Sequence, residues 1–587
     1  MSYEAAFDFL SKIFDEDRCT AYVAGIHEND RWFDTPSFQK TAEYCYRAMN
    51  EAGLSEVEML PLKSDGKTAY GDWVIPKGWD AVSARLTAGC GEAEVALADY
   101  EAVPCSLVMY SSPTPPQGVT ARAVVADSAD EFAGLDVRGK IILTRLSPSD
   151  VFAPAKEGEA LGIASDCMPL FAGSRDSREE VYDTCRWDNT FQTMENAGLF
   201  AFSLSPRKGD LLRNMLANAP DTPLRAQVEA RRYDAEVYTV SGLLRGAEPD
   251  AGEILIYGHL YEPGAHDNAS GCGMILELAR ALALAVEDGS LPRPKRGIRF
   301  VLGYECCGSM GFAEAHPEII ARAVCGLVAD MVGSGAKNRC GMSLWHNPSA
   351  NWSYIDPLLT DLFAAYARRQ GAQADAVDLP FTIGTDNILA DPCFGTPTAA
   401  VIMHPALSYH SSMDTMELIE PEVLRHNGIV VGGFLCYMAN AGAEEAHHLS
   451  ELLEREYMKA REEMPGAPAA KRYLTRNAYA RATLAIEKLL SPAEAPEGWR
   501  RVPKRTVMGC LTFDALEDRA SVPYHPAWNN RLNVPLFWAD GARNLWQIAE
   551  LSAADRGGQG DAGAQYAMIA EYFGFLAERG YIEWVNP

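Results

Sequence analysis

The chain has 587 residues, 48% of them hydrophobic and 22% charged, and a formal charge of −28 at pH 7. That length accommodates roughly four domains, or one large catalytic domain with insertions, and no apolar run approaches the ~18 residues that a membrane span needs. So acidic a surface repels phosphate backbones and anionic lipid, which argues against nucleic acid and membrane as partners and suits a cationic or zwitterionic substrate.

The amino terminus, MSYEAAFDFLSKIFDEDRC, mixes acidic and apolar residues at helical spacing and shows no signal peptide. The 14 cysteines have no CxxC or zinc-ribbon spacing and read as free thiols of a cytoplasmic protein. Helical periodicity (Phe7, Leu10, Ile13, Phe14, then Thr41 to Leu54) leads into LSEVEMLPL, whose alternation predicts a strand. From about 95 to 235, short β-like runs such as ARAVVAD and GKIILTRL lie between Gly, Pro, Ser and Asp, as in a β-rich insertion.

Strand-like and helical runs alternate again from YTVSGLLRG (238–246) to about 440. A helix from near Asn268 places Met274, Leu278, Ala281 and Leu282 on one core-facing stripe. The alternation predicts an α/β fold, a mixed and mostly parallel sheet flanked by helices. Beyond 445 come a charged helical stretch, a Pro- and Ala-rich passage and a compact tail. That tail predicts two helices and a short hairpin, with Ile569, Tyr572, Phe573 and Leu576 buried, in a pattern like a winged helix. Its few basic residues favour a structural or oligomerising role, compatible with a homo-oligomer, over DNA binding.

Five residues of the types zinc favours fall at or just after the ends of apolar runs: His259, Asp267, Glu305, Asp330 and His410. Open α/β sheets gather their functional groups outside the carboxyl ends of their strands, so these five are expected to converge on a metal-dependent hydrolase site. When two metals lie close together one carboxylate must bridge them, and Asp267, where a loop becomes a helix, is the candidate. Asp386 and Asp414 are expected to hold active-site loops, His346 and His404 to be structural, and Cys306 and Cys307 to be packing residues that could supply a thiolate.

The ordered combination of GH (258–259), PGAHDNASG (263–271), the Glu305 strand with GS (308–309), DMVG (330–333), GTDN (384–387), GTP (395–397) and YHSSMDT (409–415) resembles the co-catalytic zinc aminopeptidases. These are typified by bacterial leucyl aminopeptidase and aminopeptidase Y, with glutamate carboxypeptidase II more distant. The resemblance implies the zinc exopeptidase fold over 1–94 and 236–445, a protease-associated-like insertion over 95–235, and a bacterial branch with a winged-helix-like domain over 446–587. It implies zinc, two ions per chain with one possible, held by His259, Asp330 and bridging Asp267, and by Asp267, His410 and a glutamate.

Two departures stand out. The family's paired glutamates, base then ligand, are here Glu305 followed by two cysteines, so Glu305 is either the general base or the second ion's ligand, with the ligand role preferred. The Asp that usually orients the first histidine is Tyr261, leaving Tyr261, Glu262, Asp386 and Asp414 as candidates to support the ligands from behind or to bind substrate. The expected function is an aminopeptidase acting on peptides. An amidohydrolase, carboxypeptidase or cyclase acting on a small amide is the enzymatic alternative, and a binding protein that kept the fold but lost the chemistry is the third. Trp345 and Trp352 are candidates for the substrate pocket.

Overall fold

In the computed structural model the four ligand-bearing runs become neighbouring strands. It describes residues 2–587 apart from 133, 190–197, 249–250, 374–375, 443–444, 446–447, 450, 454, 457, 459–494, 496–497, 556–561 and 586–587. Eight strands form the main sheet: β1 (Ser55–Ser64), β2 (Ala235–Leu244), β3 (Glu253–Leu260), β4 (Gly297–Tyr304), β5 (Ala323–Asp330), β6 (Ser343–Trp345), β7 (Val377–Leu379) and β8 (Thr398–Ile402). Their spatial order is β1-β2-β4-β3-β5-β8-β6-β7. The central four, β4-β3-β5-β8, are mutually parallel, while β2 joins β4, β1 joins β2 and β6 joins β8 antiparallel.

Every residue of β3 is buried, which accounts for its continuous apolar run, since a parallel strand has both faces covered. The flanking helices are α1 (Tyr3–Ile13), α2 (Glu16–Asp30), α3 (Thr35–Glu51), α4 (Ala269–Glu287), α5 (Cys307–Ala315), α6 (Ile355–Arg369) and α7 (Pro421–Asn440). The fold is therefore the expected α/β one, a large mixed sheet flanked by helices.

Helix α4 differs from expectation. It is buried on all sides, with fifteen of its nineteen residues inside, because α2 and α7 also pack on it. By length and composition alone it could cross a membrane, but 83% of its most apolar window lies inside the molecule. Its buried acidic residue, Glu277, pairs with Arg280 and accepts the Asp15 N–H.

A second sheet has the order Val95–Asp99, Gly78–Ala88, Pro223–Tyr233, Val119–Val125, Ile141–Thr144, Gly162–Ser165, Phe200–Ser203. Its last four strands run parallel. The sheet starts earlier than the β-rich texture of the sequence does, since Gly78–Ala88 precedes residue 95.

The carboxy-terminal part builds a separate core around Phe513, Trp538, Ile548 and the predicted Ile569, Tyr572, Phe573 and Leu576. The hairpin expected there is instead an antiparallel pairing of Ile582–Val585 with the distant Val502–Arg505, a partner that no local window of sequence reveals. The charged stretch and the Pro- and Ala-rich passage before it fall largely outside the described residues.

Candidate metal centre

All five predicted ligands sit at the carboxyl edge of the parallel strands. His259 is near the end of β3, Glu305 follows β4, Asp330 ends β5, His410 lies in the loop after β8, and Asp267 lies in the loop entering α4. His259 Nε2 stands 3.6 Å from Asp267 Oδ1, and His410 Nε2 stands 3.4 Å from Asp267 Oδ2, so one carboxylate faces both imidazoles with different oxygens. Zinc bonds of ~2.1 Å at tetrahedral angles set neighbouring ligand atoms roughly 3.4 Å apart. These spacings therefore suit cations held between the groups better than direct charge-assisted hydrogen bonds of about 2.8 Å.

Three groups of ligand atoms gather with all members within 4.8 Å of one another: His259–Asp267–Asp330, Glu262–Asp267–His410 and His259–Glu262–Glu305. The first is the set expected for one ion. The second contains Glu262, which the sequence reading placed outside the ligands. Glu305 joins His259 and Glu262, not the Asp267–His410 pair.

The backbone is strained at each of these turns. Tyr261, Cys306, Met331 and His410 all take positive φ, at 79°, 56°, 50° and 52°. Non-glycine residues in that region are costly and persist only where their surroundings over-determine them. At Cys306 the Cys307 N–H reaches back 2.5 Å to the Glu305 carbonyl, and with ψ −52° this is a tight γ-turn. The compact turn leaves Glu305 followed directly by the two cysteines, with no second glutamate beside it.

The neighbours that hold these groups were only partly visible in the sequence. Asp386 Oδ2 lies 3.3 Å from His259 Nδ1, while its Oδ1 accepts from Cys306 N at 2.9 Å and Ser309 Oγ at 2.7 Å. It thus fixes the Glu305 turn and sets a carboxylate oxygen beside the first imidazole, where the position two after His259 is Tyr261. Asp414 accepts from the N–H groups of His266 (2.7 Å) and Asp267 (3.1 Å). Tyr261 points its hydroxyl to Thr35, and its N–H donates to buried Asp30 at 3.0 Å.

Arg175, fully buried in the segment before Phe200–Ser203, had no sequence signal. It donates to the carbonyls of Leu407, Tyr409 and Pro169 and so clamps the loop that ends in His410. Trp187 packs against His410 with ring centres 4.1 Å apart and the planes tilted by 35°. Of the two structural histidines, His346 bonds Asp378 at 3.1 Å, whereas His404 lies on the cleft wall against Tyr409. Cys306 is buried, and burial pushes both its thiol and that of Cys307 well above the usual range, as expected of packing residues.

The electrostatics show an excess of buried negative charge. Burial, then Asp386, Asp330 and Asp267, pushes the Glu305 carboxyl up to about 8 against the pull of His259. Burial raises Asp330 to about 7, and raises Glu262 well above the carboxylate range with help from Asp267 and Glu305. Burial alone would lower His259, but Asp330, Glu305, Asp267 and Asp386 hold it well above the usual histidine range. Meanwhile His259 Nε2 and Asp330 Oδ1, both buried, have no hydrogen-bond partner among the described residues. Imidazoles and carboxylates in this excess, with buried atoms left unpaired, fit a divalent cation.

The centre forms the floor of a cleft of about 380 Å³. The main sheet and the turns that follow its strands supply Tyr261, Tyr304, Met331 and Trp345; Trp352 is not on the wall. The second-sheet region contributes Arg186, Trp187 and Asp188, and the carboxy-terminal part Thr512, Asp514, Arg519 and Trp528.

The sequence model of peptidase family M28 matches residues 240–435, the segment that carries all five predicted ligands. A peptidase M28 precursor from Shewanella amazonensis is similar in structure, with a TM-score of 0.52 and 17% identity over 75% of this chain and 97% of that one. A zinc aminopeptidase from Bacillus subtilis is similar at a TM-score of 0.50 and 19% identity, covering 73% of this chain and 95% of that one. At such identities the likeness is one of fold, the zinc exopeptidase fold. No curated protein matches the chain. The matched segment and the donor set together support a metal-dependent hydrolase.

Proposed function

We propose that this chain is a zinc-dependent aminopeptidase, releasing amino-terminal residues from peptides. The observation that carries the reading is Asp267, whose two oxygens face the two imidazoles and so suit a carboxylate shared between two ions. His259, Asp267 and Asp330 would hold one ion, and Asp267, His410 and a further carboxylate the other. Zinc, when bound, polarises a carbonyl and lowers the pKa of a coordinated water.

The chain's own residues then manage protons and position. Glu305, whose carboxyl is raised towards neutrality, takes a proton from the attacking water as the new C–O bond forms. It passes that proton to the leaving amine nitrogen as the C–N bond breaks. Asp386 keeps His259 in one orientation. An acidic cleft also suits the ammonium group of a free amino terminus.

Aminoacyl-arylamides and acyl-amino acids, assayed with and without chelator, test the proposal. Chelator-sensitive release of arylamine with zinc in the purified protein is expected. Turnover of acyl compounds only would redirect the assignment to an amidohydrolase.

A further inference from the structure

We infer that Glu262 is the carboxylate that completes the second metal site, so that Glu305 remains free to carry the proton. The inference rests on the two-ion reading above. Glu262 is the carboxylate that gathers with both Asp267 and His410 within 4.8 Å, and its Oε2 lies 3.4 Å from His259 Nε2, so it stands at the centre beside the first site as well. Its side chain is 12% exposed, beside the buried and unpartnered His259 Nε2.

The backbone explains how a residue three positions after the first histidine reaches the centre. Strand β3 ends at Leu260, and Tyr261 turns through a left-handed conformation instead of extending the strand. That turn is held by its N–H bond to Asp30 and by ring packing against Phe38 and Tyr304. It carries Glu262 over the centre. On the other side, the γ-turn at Cys306 leaves Glu305 as the one acidic residue between β4 and α5. The second ligand has in effect moved from the strand that carries the base to the strand that carries the first histidine.

Zinc content separates the roles. Full-length wild type and the variants Glu262→Gln and Glu305→Gln are stripped, reloaded with zinc, dialysed and measured by elemental analysis, with zinc affinities from chelator competition. The wild type is expected to hold two ions. Glu262→Gln should keep one ion and bind the second at least ~100-fold more weakly, while Glu305→Gln should keep both and lose about 10²–10⁴-fold in kcat.

Should Glu262→Gln misfold, Glu262→Asp, with a shorter reach, should weaken the second ion alone by roughly tenfold or more. Loss of an ion from Glu305→Gln with two retained in Glu262→Gln overturns the inference, as does retention of two by both variants. A wild type that binds fewer than two ions with zinc in excess overturns the two-ion reading itself.

Discussion

Asp386 does at least three things with one carboxylate: it faces His259 Nδ1, accepts the Cys306 N–H and accepts the Ser309 hydroxyl. Asp386→Asn keeps an acceptor for the turn but removes the anion behind the imidazole. Zinc affinity should fall by about 10–100-fold without gross loss of fold, read by chelator competition beside a melting curve. His27, in α2, makes a separate prediction, about pH. Burial, then the charge of Arg31, pushes it down to about 4, against a hydrogen bond to the Pro263 carbonyl in the loop after Glu262. Its folded value lies below the ~6.5 of an unfolded histidine, so the unfolded chain takes up the proton first. The stability this group contributes is complete above about pH 6.5 and is lost as pH falls towards 4. Between about pH 7 and about pH 5 the loss should approach ~2 kcal/mol, measured as a shift in urea stability that His27→Gln removes. A variant that keeps the full shift would place the acid sensitivity in other groups.

At the scale of elements, the close approach of α2 and α4 depends on Gly273. A Cβ there would sit 2.6 Å from Val23 Cγ2 and 2.9 Å from Val23 N, and the backbone atom cannot step aside. Gly273→Ala should therefore destabilise by about 1–3 kcal/mol through overpacking, even though alanine is the better helix former, and differential scanning calorimetry would show it. The expected stripe on α4 showed that this helix has a core face; that neighbours cover its other faces was written in the small and apolar residues all round it, which a one-face pattern leaves out. The ligand-bearing strands were legible for the opposite reason. Parallel strands buried on both faces are continuous apolar runs, and a functional group at the end of such a run is conspicuous. Glu262 was harder to weigh: only the left-handed turn at Tyr261 brings it inward, and a tyrosine gives no warning of positive φ. Arg175 was invisible because the carbonyl groups it clamps before His410, those of Leu407 and Tyr409, lie more than 200 positions away.

Across the whole molecule the cleft is a joint structure. Arg175 and Trp187 of the second-sheet region steady His410, and the carboxy-terminal part lays Thr512, Asp514, Arg519 and Trp528 along the rim, Trp528 packing edge-on against Trp73 at 5.6 Å. That part is anchored through Asp72, which accepts from Thr512 N and Phe513 N, and through the buried ion pair of Arg505 with Asp391 at 2.6 Å. Arg505→Met would leave Asp391 charged and unpaired inside the protein, and breaking one side of such a pair costs about 3–5 kcal/mol. The loss falls on the docking of this part, not on the main sheet, because the carboxy-terminal core is a separate cluster of side chains. The variant should thus keep its zinc while protease cuts appear near residue 500 and KM for short peptides rises, the rim having been loosened. Zinc loss in step with the rise in KM would show instead that the carboxy-terminal part supports the metal ligands themselves.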